Sequence, residues 1–295
     1  MVRPTASRLQ LAGLIVAISL SSAGGASLAG AAMQSPLSPA LTPDVDAPVG
    51  AFPALRGLCA ARQATSIAGR ASPTDLMRTP ARVFNNLYFV GTRSLSSRAI
   101  TTSKGIILID ALRNPDEARA VIEPSMRSLG LDPSQIRYIV VTHGHGDHYG
   151  GVRYLVDRYH PRVVMSEIDW SEVAKPKLQL DAPHWGRPPT RDIAVRDGHR
   201  LRLGDTIVEL PVARTHTPGT ISPIFTVRDG PRRHRVLLWG GTGFNFGPSA
   251  ERLKSYAASA DRLRVLARKR NADVLVSNHP GSEASVARMN LLHPL

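Results

Sequence analysis

The chain has 295 residues, 42% of them hydrophobic, and a formal net charge of +14 at pH 7. A chain of this length and hydrophobic content can bury a large core, which excludes an intrinsically disordered protein. The positive charge favours anionic ligands, but no run of lysine and arginine is interleaved with aromatic residues. We therefore expect a small-molecule substrate and no nucleic acid as partner, and the oligomeric state stays open.

The first residues have the pattern of an export signal. Arg3 and Arg8 supply positive charge, residues 9–20 are largely apolar, and Ala29-Gly30-Ala31 offers a cleavage site. The apolar stretch is shorter than the ~20 residues that a membrane-spanning helix needs, so we expect no stable membrane anchor and a periplasmic or secreted protein. The predicted organisation is a signal peptide over residues 1–31, a Pro-rich leader over 32–53 and one hydrolase domain over 54–295.

Cys59 is the only cysteine in the sequence. No disulfide can therefore form within the chain, and stability has to come from the core and from any bound metal. Cys59 lies far upstream of every other candidate ligand, so we interpret it as a structural residue.

Short apolar runs between turn residues predict strands, and longer runs with helical spacing predict helices. The predicted strands cover residues 86–90, 98–102, 106–110, 136–141, 163–165, 206–210, 224–227, 235–239 and 272–277. The predicted helices cover residues 55–66, 114–130, 151–159 and 250–269. Pro124 is expected to kink or split the second helix, because proline cannot donate a backbone hydrogen bond.

Residues 166–192 follow a predicted strand and show no regular pattern. Long irregular loops in compact domains are often functional, so we predict that this segment forms a wall over a substrate. It contains Trp170 and Trp185, which could instead pack in the core.

Residues 142–151 hold the densest set of metal-binding side chains: His143, His145, Asp147 and His148 fall within six residues, separated by glycines. Imidazole and carboxylate groups are ligands for Zn²⁺, and the glycines allow the sharp bends that bring them to one point. One tetrahedral zinc with an open position would not use all of them, whereas two zinc ions would. A polar turn at a strand end, or an adventitious metal patch, is the alternative.

His216 and His279 also come directly after predicted strands. Three loops from distant parts of the chain could therefore meet at one edge of a sheet. A single histidine at a strand end is often only a hydrogen-bonding group, but the dense cluster makes metal ligation the better interpretation for both.

These residues resemble the metallo-β-lactamase superfamily. Its His-x-His-x-Asp-His signature corresponds to residues 143–148, and residues 87–91, 105–110, 216–219 and 277–281 also match its motifs. The resemblance implies an α/β fold of the αββα sandwich type, with two mixed β-sheets face to face and helices outside. It also implies two Zn²⁺ per chain, the first bound by His143, His145 and His216, and the second by Asp147, His148 and His279.

One departure favours a branch of this superfamily. Glyoxalase II, many lactonases and the nucleases of the superfamily carry a bridging aspartate between the last two histidine ligands. The matching stretch here, residues 239–244, has no carboxylate. In this respect the chain is most similar to the di-zinc β-lactamases that use no cysteine ligand.

The resemblance implies a hydrolase that opens the β-lactam ring. Two zinc ions about 3.5–4 Å apart can share a hydroxide that attacks the carbonyl carbon. Asp147 would act as a ligand and orient this hydroxide. Ser222, Thr242 or Asn245 could bind a substrate carboxylate, or could only hold loops together.

Two alternatives stay open at this point. The chain could be a secreted di-zinc hydrolase of another ester or lactone, including phosphate or sulfate esters. It could also be an exported binding protein on a decayed hydrolase fold, although the intact set of ligands argues against that. Fold alone does not identify a substrate.

Overall fold

The computed structural model describes residues 80–178, 180–244 and 249–280. The predicted signal peptide and leader, the predicted helix over residues 55–66, Cys59 and Asn245 lie outside these ranges and stay predictions. Within the described ranges, twelve strands form two sheets. They are β1 (Ala81–Phe84), β2 (Leu87–Phe89), β3 (Arg98–Thr102), β4 (Gly105–Ile109), β5 (Ile136–Val140), β6 (Arg162–Ser166), β7 (Ile193–Val195), β8 (His199–Leu203), β9 (Thr206–Leu210), β10 (Ile224–Asp229), β11 (Arg232–Trp239) and β12 (Val274–Ser277).

The first sheet has the order β1-β2-β3-β4-β5-β6-β7, and the second has the order β12-β11-β10-β9-β8. Both sheets are mixed. Strands β1 to β4 pair antiparallel, whereas β4 to β7 pair parallel. In the second sheet only β11 and β12 pair parallel. The carboxyl ends of β4, β5 and β6 therefore lie along one edge of the first sheet.

Alternating side chains on the strands build three apolar layers. On β4, Ile107 faces strands of the second sheet, and the central layer also contains Val140, Phe225 and Leu238. Leu108 belongs to the layer beneath the helices of the first sheet. A smaller cluster that includes Leu237 and Leu263 lies between the second sheet and the long C-terminal helix. This two-residue alternation buries both faces of each sheet and confirms the predicted αββα sandwich.

The helices are α1 (Pro115–Glu117), α2 (Glu123–Ser128), α3 (Gly146–Tyr149), α4 (Val152–Tyr159), α5 (Glu167–Val173) and α6 (Ala250–Lys269). A π-helical turn over Ala118–Ile122 joins α1 to α2, and a short 3₁₀ turn covers Pro133–Gln135. Among the described residues, no helix has both the length and the apolar character that crossing a bilayer requires.

The structure bears out most predicted boundaries. The Asn114 side chain accepts a hydrogen bond from the Glu117 amide and caps α1, with Pro115 in its first turn. The helix then widens into the π-helical turn just before Pro124, which starts the next α-helical segment. A local π-helical turn gives up regular backbone hydrogen bonds, which is where a proline without an N–H is tolerated.

Residues 166–192 were predicted to be irregular throughout, and that prediction is wrong for the first part. Residues Glu167–Val173 form α5, whose amino end is capped by the Ser166 hydroxyl, which accepts from the Asp169 amide. Trp170 on this helix is 1% exposed and donates to the Ile193 carbonyl oxygen, so it belongs to the core. Strands β1, β7 and β8 were also missed, because they are short or carry several polar residues.

The Glu209 carboxylate and the Arg270 guanidinium form a two-point ion pair between β9 and the end of α6, at 2.7 and 2.8 Å. Hydrogen bonds from Arg270 lower the pKa of Glu209. A lowered folded-state pKa means stabilisation that is present above the unfolded pKa and is lost as pH falls through the folded pKa.

We predict that Glu209→Gln lowers the free energy of unfolding by about 0.5–1 kcal/mol at pH 7. The difference should disappear in acid, below the folded-state pKa of Glu209. Urea denaturation of both proteins across pH 3–7 measures this. A difference that does not change with pH would contradict the ion pair as its source.

Candidate metal centre

The carboxyl ends of β5, β11 and β12 bring the predicted site together. The stretch that begins at Thr142 follows β5, Gly240 follows β11, and Asn278-His279 follows β12. His216 lies in the loop after β9, and this loop is tied to the first sheet because the Ile221 amide donates to the Thr142 carbonyl oxygen at 2.7 Å. Ligands in open α/β folds collect at such strand ends.

Three of the predicted side chains form the first group. Potential ligand atoms of His143, His145 and His216 lie within 4.8 Å of one another, and all three residues are buried. His145 Nδ1 and His216 Nε2 are 2.9 Å apart. Three buried imidazoles at this spacing match the ligand set of a zinc site with an open fourth position.

The second group surrounds Asp147. Its Oδ2 atom lies 3.5 Å from His148 Nε2 and 3.9 Å from His279 Nε2. The two Nε2 atoms of His148 and His279 are 3.3 Å apart. His143, Asp147 and His148 also form a group with ligand atoms within 4.8 Å, so His143 adjoins both groups. The structure thus places all six predicted side chains around one centre.

Hydrogen bonds at the other ring nitrogen orient four of the five histidines. In each case Nδ1 faces an oxygen atom away from the centre and leaves Nε2 directed into it. The contacts are His143 with Gly240 O at 2.8 Å, His216 with Gly243 O at 2.6 Å, His148 with Asp110 Oδ2 at 2.9 Å and His279 with Ser94 O at 3.2 Å.

His143 Nε2 is buried and has no hydrogen-bond partner. A buried polar atom without a partner is costly unless a ligand takes its lone pair. The donor set of imidazole nitrogens and one carboxylate is the set that zinc prefers. The residues present therefore fit zinc.

Burial and mutual repulsion keep most of these imidazoles neutral. Burial lowers the pKa of His145 to about 3 and that of His279 to about 4, and neighbouring histidines contribute to both shifts. The same causes lower the pKa of His143 and of His216. Neutral imidazole is the form that coordinates a metal, so these four residues need to lose no proton at neutral pH.

His148 differs from the other histidines. Burial alone would lower its pKa, but the carboxylates of Asp147 and Asp110 outweigh burial and raise that pKa above its usual value. Burial would raise the pKa of Asp147, yet His148 and the other histidines lower it, so its carboxylate stays ionised. Asp147 therefore supplies negative charge within the centre itself.

Asp110 has a role that the sequence did not reveal. It follows β4 in the left-handed backbone region, with φ of 61°, and is 1% exposed. Its carboxylate accepts from the Thr142 amide at 2.7 Å, the Thr142 hydroxyl at 2.8 Å and His148 Nδ1 at 2.9 Å. The sequence does show an acidic residue directly after β4, the neighbour of β5 in the sheet. That position was the signal from which the role of Asp110 could have been predicted.

Asp169 on α5 was missed for a similar reason. It is 0% exposed, and its carboxylate accepts from the Gly144 amide at 2.8 Å, the Thr217 hydroxyl at 2.7 Å and the Gly219 amide at 3.0 Å. It thus ties the loop of His143 and His145 to the loop of His216. Because residues 166–192 were predicted to be irregular, Asp169 was not expected on a helix beside the centre.

Gly144 and Gly146 lack side chains because neighbours fill the space. A Cβ on Gly144 would lie 2.9 Å from Val173 Cγ1, and one on Gly146 would lie 2.6 Å from Trp185 Cε3. The Trp185 ring lies nearly parallel to the His145 ring, with centroids 6.4 Å apart. Of the two tryptophans in residues 166–192, Trp185 is therefore the one beside the centre.

Gly240 and Gly241, directly after β11, have no space for a side chain. A Cβ on Gly241 would lie 2.4 Å from His216 Cβ, and one on Gly240 would lie 1.8 Å from the Ile221 carbonyl oxygen. Gly240 instead offers its carbonyl oxygen to His143 and to the Asn278 side chain. Close packing around Gly240 and Gly241 thus explains why no acidic residue stands at these two positions.

The predicted substrate contacts lie in different surroundings. Ser222 is fully buried, and its hydroxyl accepts from the Gly240 amide at 3.2 Å. Thr242 is partly buried, and its carbonyl oxygen accepts from the Tyr256 hydroxyl. Asn245 is not among the described residues. Substrate binding by these residues stays a prediction.

We predict that Asp169→Ala lowers the free energy of unfolding by about 1–3 kcal/mol, because three donors lose a buried acceptor. Glu172→Gln on the same helix is the matched control, since it removes only a surface ion pair with Lys175. Its effect should stay below about 1 kcal/mol. Urea denaturation of both variants measures this, and equal effects would show that Asp169 does not link the two loops.

The family model of the metallo-beta-lactamase superfamily matches residues 92–275. Among solved structures, BJP-1, a subclass B3 metallo-beta-lactamase of Bradyrhizobium japonicum, is 28% identical, with a TM-score of 0.61 and coverage of 71% of this chain and 82% of that one. The native FEZ-1 metallo-beta-lactamase from Legionella gormanii is 23% identical, with a TM-score of 0.66 and coverage of 73% and 84%.

The curated relatives carry a different description. A hydroxyacylglutathione hydrolase of Synechococcus sp. is 28% identical over 52% of this chain and 57% of its own length. The chain thus spans somewhat more than half the length of this relative. The extent of the family match, the two mixed sheets and the histidine-rich centre agree, and the chain belongs to the metallo-β-lactamase superfamily.

Proposed function

We propose that this chain is an exported hydrolase that binds two zinc ions and opens the β-lactam ring. His143, His145 and His216 would hold the first ion, and Asp147, His148 and His279 the second. The six side chains meet around one centre, and the likeness to subclass B3 enzymes supports the reaction. The N-terminal sequence pattern supports export.

The observation that carries the choice of reaction is the packing after β11. In glyoxalase II and the lactonases an aspartate from this region bridges the two metals. Here Gly240 and Gly241 press against Ile221 and His216, so a side chain at either position would collide with them. The centre therefore relies on Asp147 as its only directly facing carboxylate among the described residues.

This arrangement leaves positive charge for an anionic substrate. With two divalent ions and one facing carboxylate, the centre keeps a net positive charge even after Asp110 is counted behind His148. β-Lactam antibiotics carry a carboxylate beside the ring that is opened. Opposite charge in a partly buried site attracts such a group strongly.

Bound zinc would supply Lewis acidity and a water molecule acidified towards neutral pH. The chain itself positions the reacting groups: Asp110 and the backbone oxygens fix the imidazole rings, and Asp147 would accept a hydrogen bond from the attacking water. Trp185 lies beside His145, which is 6% exposed. Fixed dipoles in a shielded site need little rearrangement during the reaction.

Hydrolysis of a hydroxyacylglutathione thioester is the second candidate. The curated relatives favour it, since several hydroxyacylglutathione hydrolases match about half of this chain. Its substrate also carries carboxylates, so charge alone does not separate the two reactions.

We predict that the zinc-loaded chain hydrolyses at least one of a penicillin, a cephalosporin and a carbapenem with kcat/KM at least about tenfold above that for S-lactoylglutathione. The reason is that the positively charged centre lacks the bridging carboxylate of glyoxalase II, so we expect it to stabilise the transition state of β-lactam opening better than that of thioester hydrolysis. Initial rates on this panel, with an acyl-lactone included, measure the order. Fastest turnover of the thioester or of the lactone would favour the corresponding alternative.

We predict that His143→Ala and His279→Ala each retain about one tightly bound zinc and lose most turnover. Each change leaves its own group with two protein ligands, which are too few for tight binding. Elemental analysis and initial rates measure both effects, and far-UV circular dichroism checks the fold.

His234→Ala is the matched control. His234 lies near the start of β11, at the end of the strand away from the centre, and pairs with Asp273. It should keep two zinc ions and parental turnover. Two tight zinc ions in His279→Ala would remove His279 from the ligand set, whereas no more than one zinc in the parent protein would exclude the di-zinc form.

A further inference from the structure

A second cavity lies away from the metal centre. Its volume is about 390 Å³, within the range of about 300–1,000 Å³ typical of small-molecule pockets. Its wall combines the start of α5, the end of β7, the loop before His216 and the middle of α6. None of the six metal-facing side chains lines it.

Three arginines and two acids form the charged part of the wall. Arg196 pairs with Glu167 at 2.8 Å, and Arg262 pairs with Asp197 at 2.7 Å. Arg214 is exposed and has no acidic partner among the described residues. Two of the three arginine charges are thus paired locally, and Arg214 adds a third positive charge to the wall.

The remaining wall is largely apolar. Ile168, Val195 and Val212 line it, and Val195 is 2% exposed. Ser259 on α6 and Ser166, whose hydroxyl caps α5, line the same wall. A cavity lined by three apolar residues, two serines and one arginine without an acidic partner among the described residues suits a molecule with a hydrocarbon part and a single negative charge.

We propose that this cavity binds a small amphipathic monocarboxylate, with its carboxylate on Arg214 and its hydrocarbon part against Ile168, Val195 and Val212. The guanidinium presents parallel N–H donors that match the two oxygens of a carboxylate. The site is separate from the metal centre, so it does not depend on the proposed hydrolysis.

Octanoate is a suitable probe, and octanamide is its neutral counterpart of the same shape. We expect saturable binding of octanoate to the zinc-loaded chain, with shifts of the Ile168, Val195 and Val212 methyl resonances in NMR titrations. Octanamide and inorganic phosphate should each bind at least about fivefold more weakly, since one lacks the charge and the other the hydrocarbon part.

Arg214→Gln should weaken octanoate binding by about fivefold or more, because it removes the positive charge and keeps most of the side-chain length. Arg233→Gln is the matched control, since it removes the same charge from an exposed position in the β10–β11 hairpin. Ser259→Leu should also weaken binding by filling the cavity, and circular dichroism checks that each variant is folded.

Several results would overturn the proposal. These are absence of saturable octanoate binding, equal affinity for octanamide or phosphate, and an unchanged affinity in Arg214→Gln. Shifts confined to the Trp185 indole resonance would place the carboxylate at the metal centre instead. The titration measures octanoate binding and does not require β-lactam turnover. A protein that hydrolyses no β-lactam can still bind octanoate, so the two proposals can fail independently.

Discussion

Asp110 adopts a left-handed backbone conformation that is uncommon outside glycine, and it does so at the end of a strand whose last four residues are buried. The conformation turns its carboxylate towards the next strand, where it accepts from the amide and hydroxyl of Thr142 and from the His148 ring. One buried carboxyl group thus joins β4 to β5 and fixes an imidazole of the candidate centre. Local strain of this kind persists only where surrounding contacts compensate for it, and functional sites are a common place for it.

Asp169, on the helix that follows β6, plays a similar part. Its carboxylate holds Gly144 and the Thr217-Pro218-Gly219 turn, so two loops that are distant in sequence share one acceptor. Burial raises the pKa of Asp169 to about 6, whereas donors from both loops favour its ionised form. The geometry of the candidate centre therefore rests on two carboxylates behind the histidine cluster as much as on the histidines themselves.

Close packing explains the glycines around the centre. Trp185 and Val173 occupy the space that side chains at residues 146 and 144 would need, and His216 occupies the space beside Gly241. The same packing that brings the imidazoles together also keeps a bridging carboxylate out. The composition of the centre and its charge thus follow from steric constraints on three backbone segments.

The sequence by itself determined the superfamily, the candidate ligand types and the strands that present them. Dense histidines after a β-branched run are a local pattern, and the two-residue and helical periods of the apolar residues predicted α6 and most strands because burial imposes those periods. Only the tertiary structure decided the roles of Asp110 and Asp169 and formed the cavity beside Arg214. It also decided that Trp170 lies in the core and that Trp185 lies beside the centre. These features depend on contacts between segments that are far apart in the chain, and a local pattern carries no information about which of two similar residues will face a given neighbour.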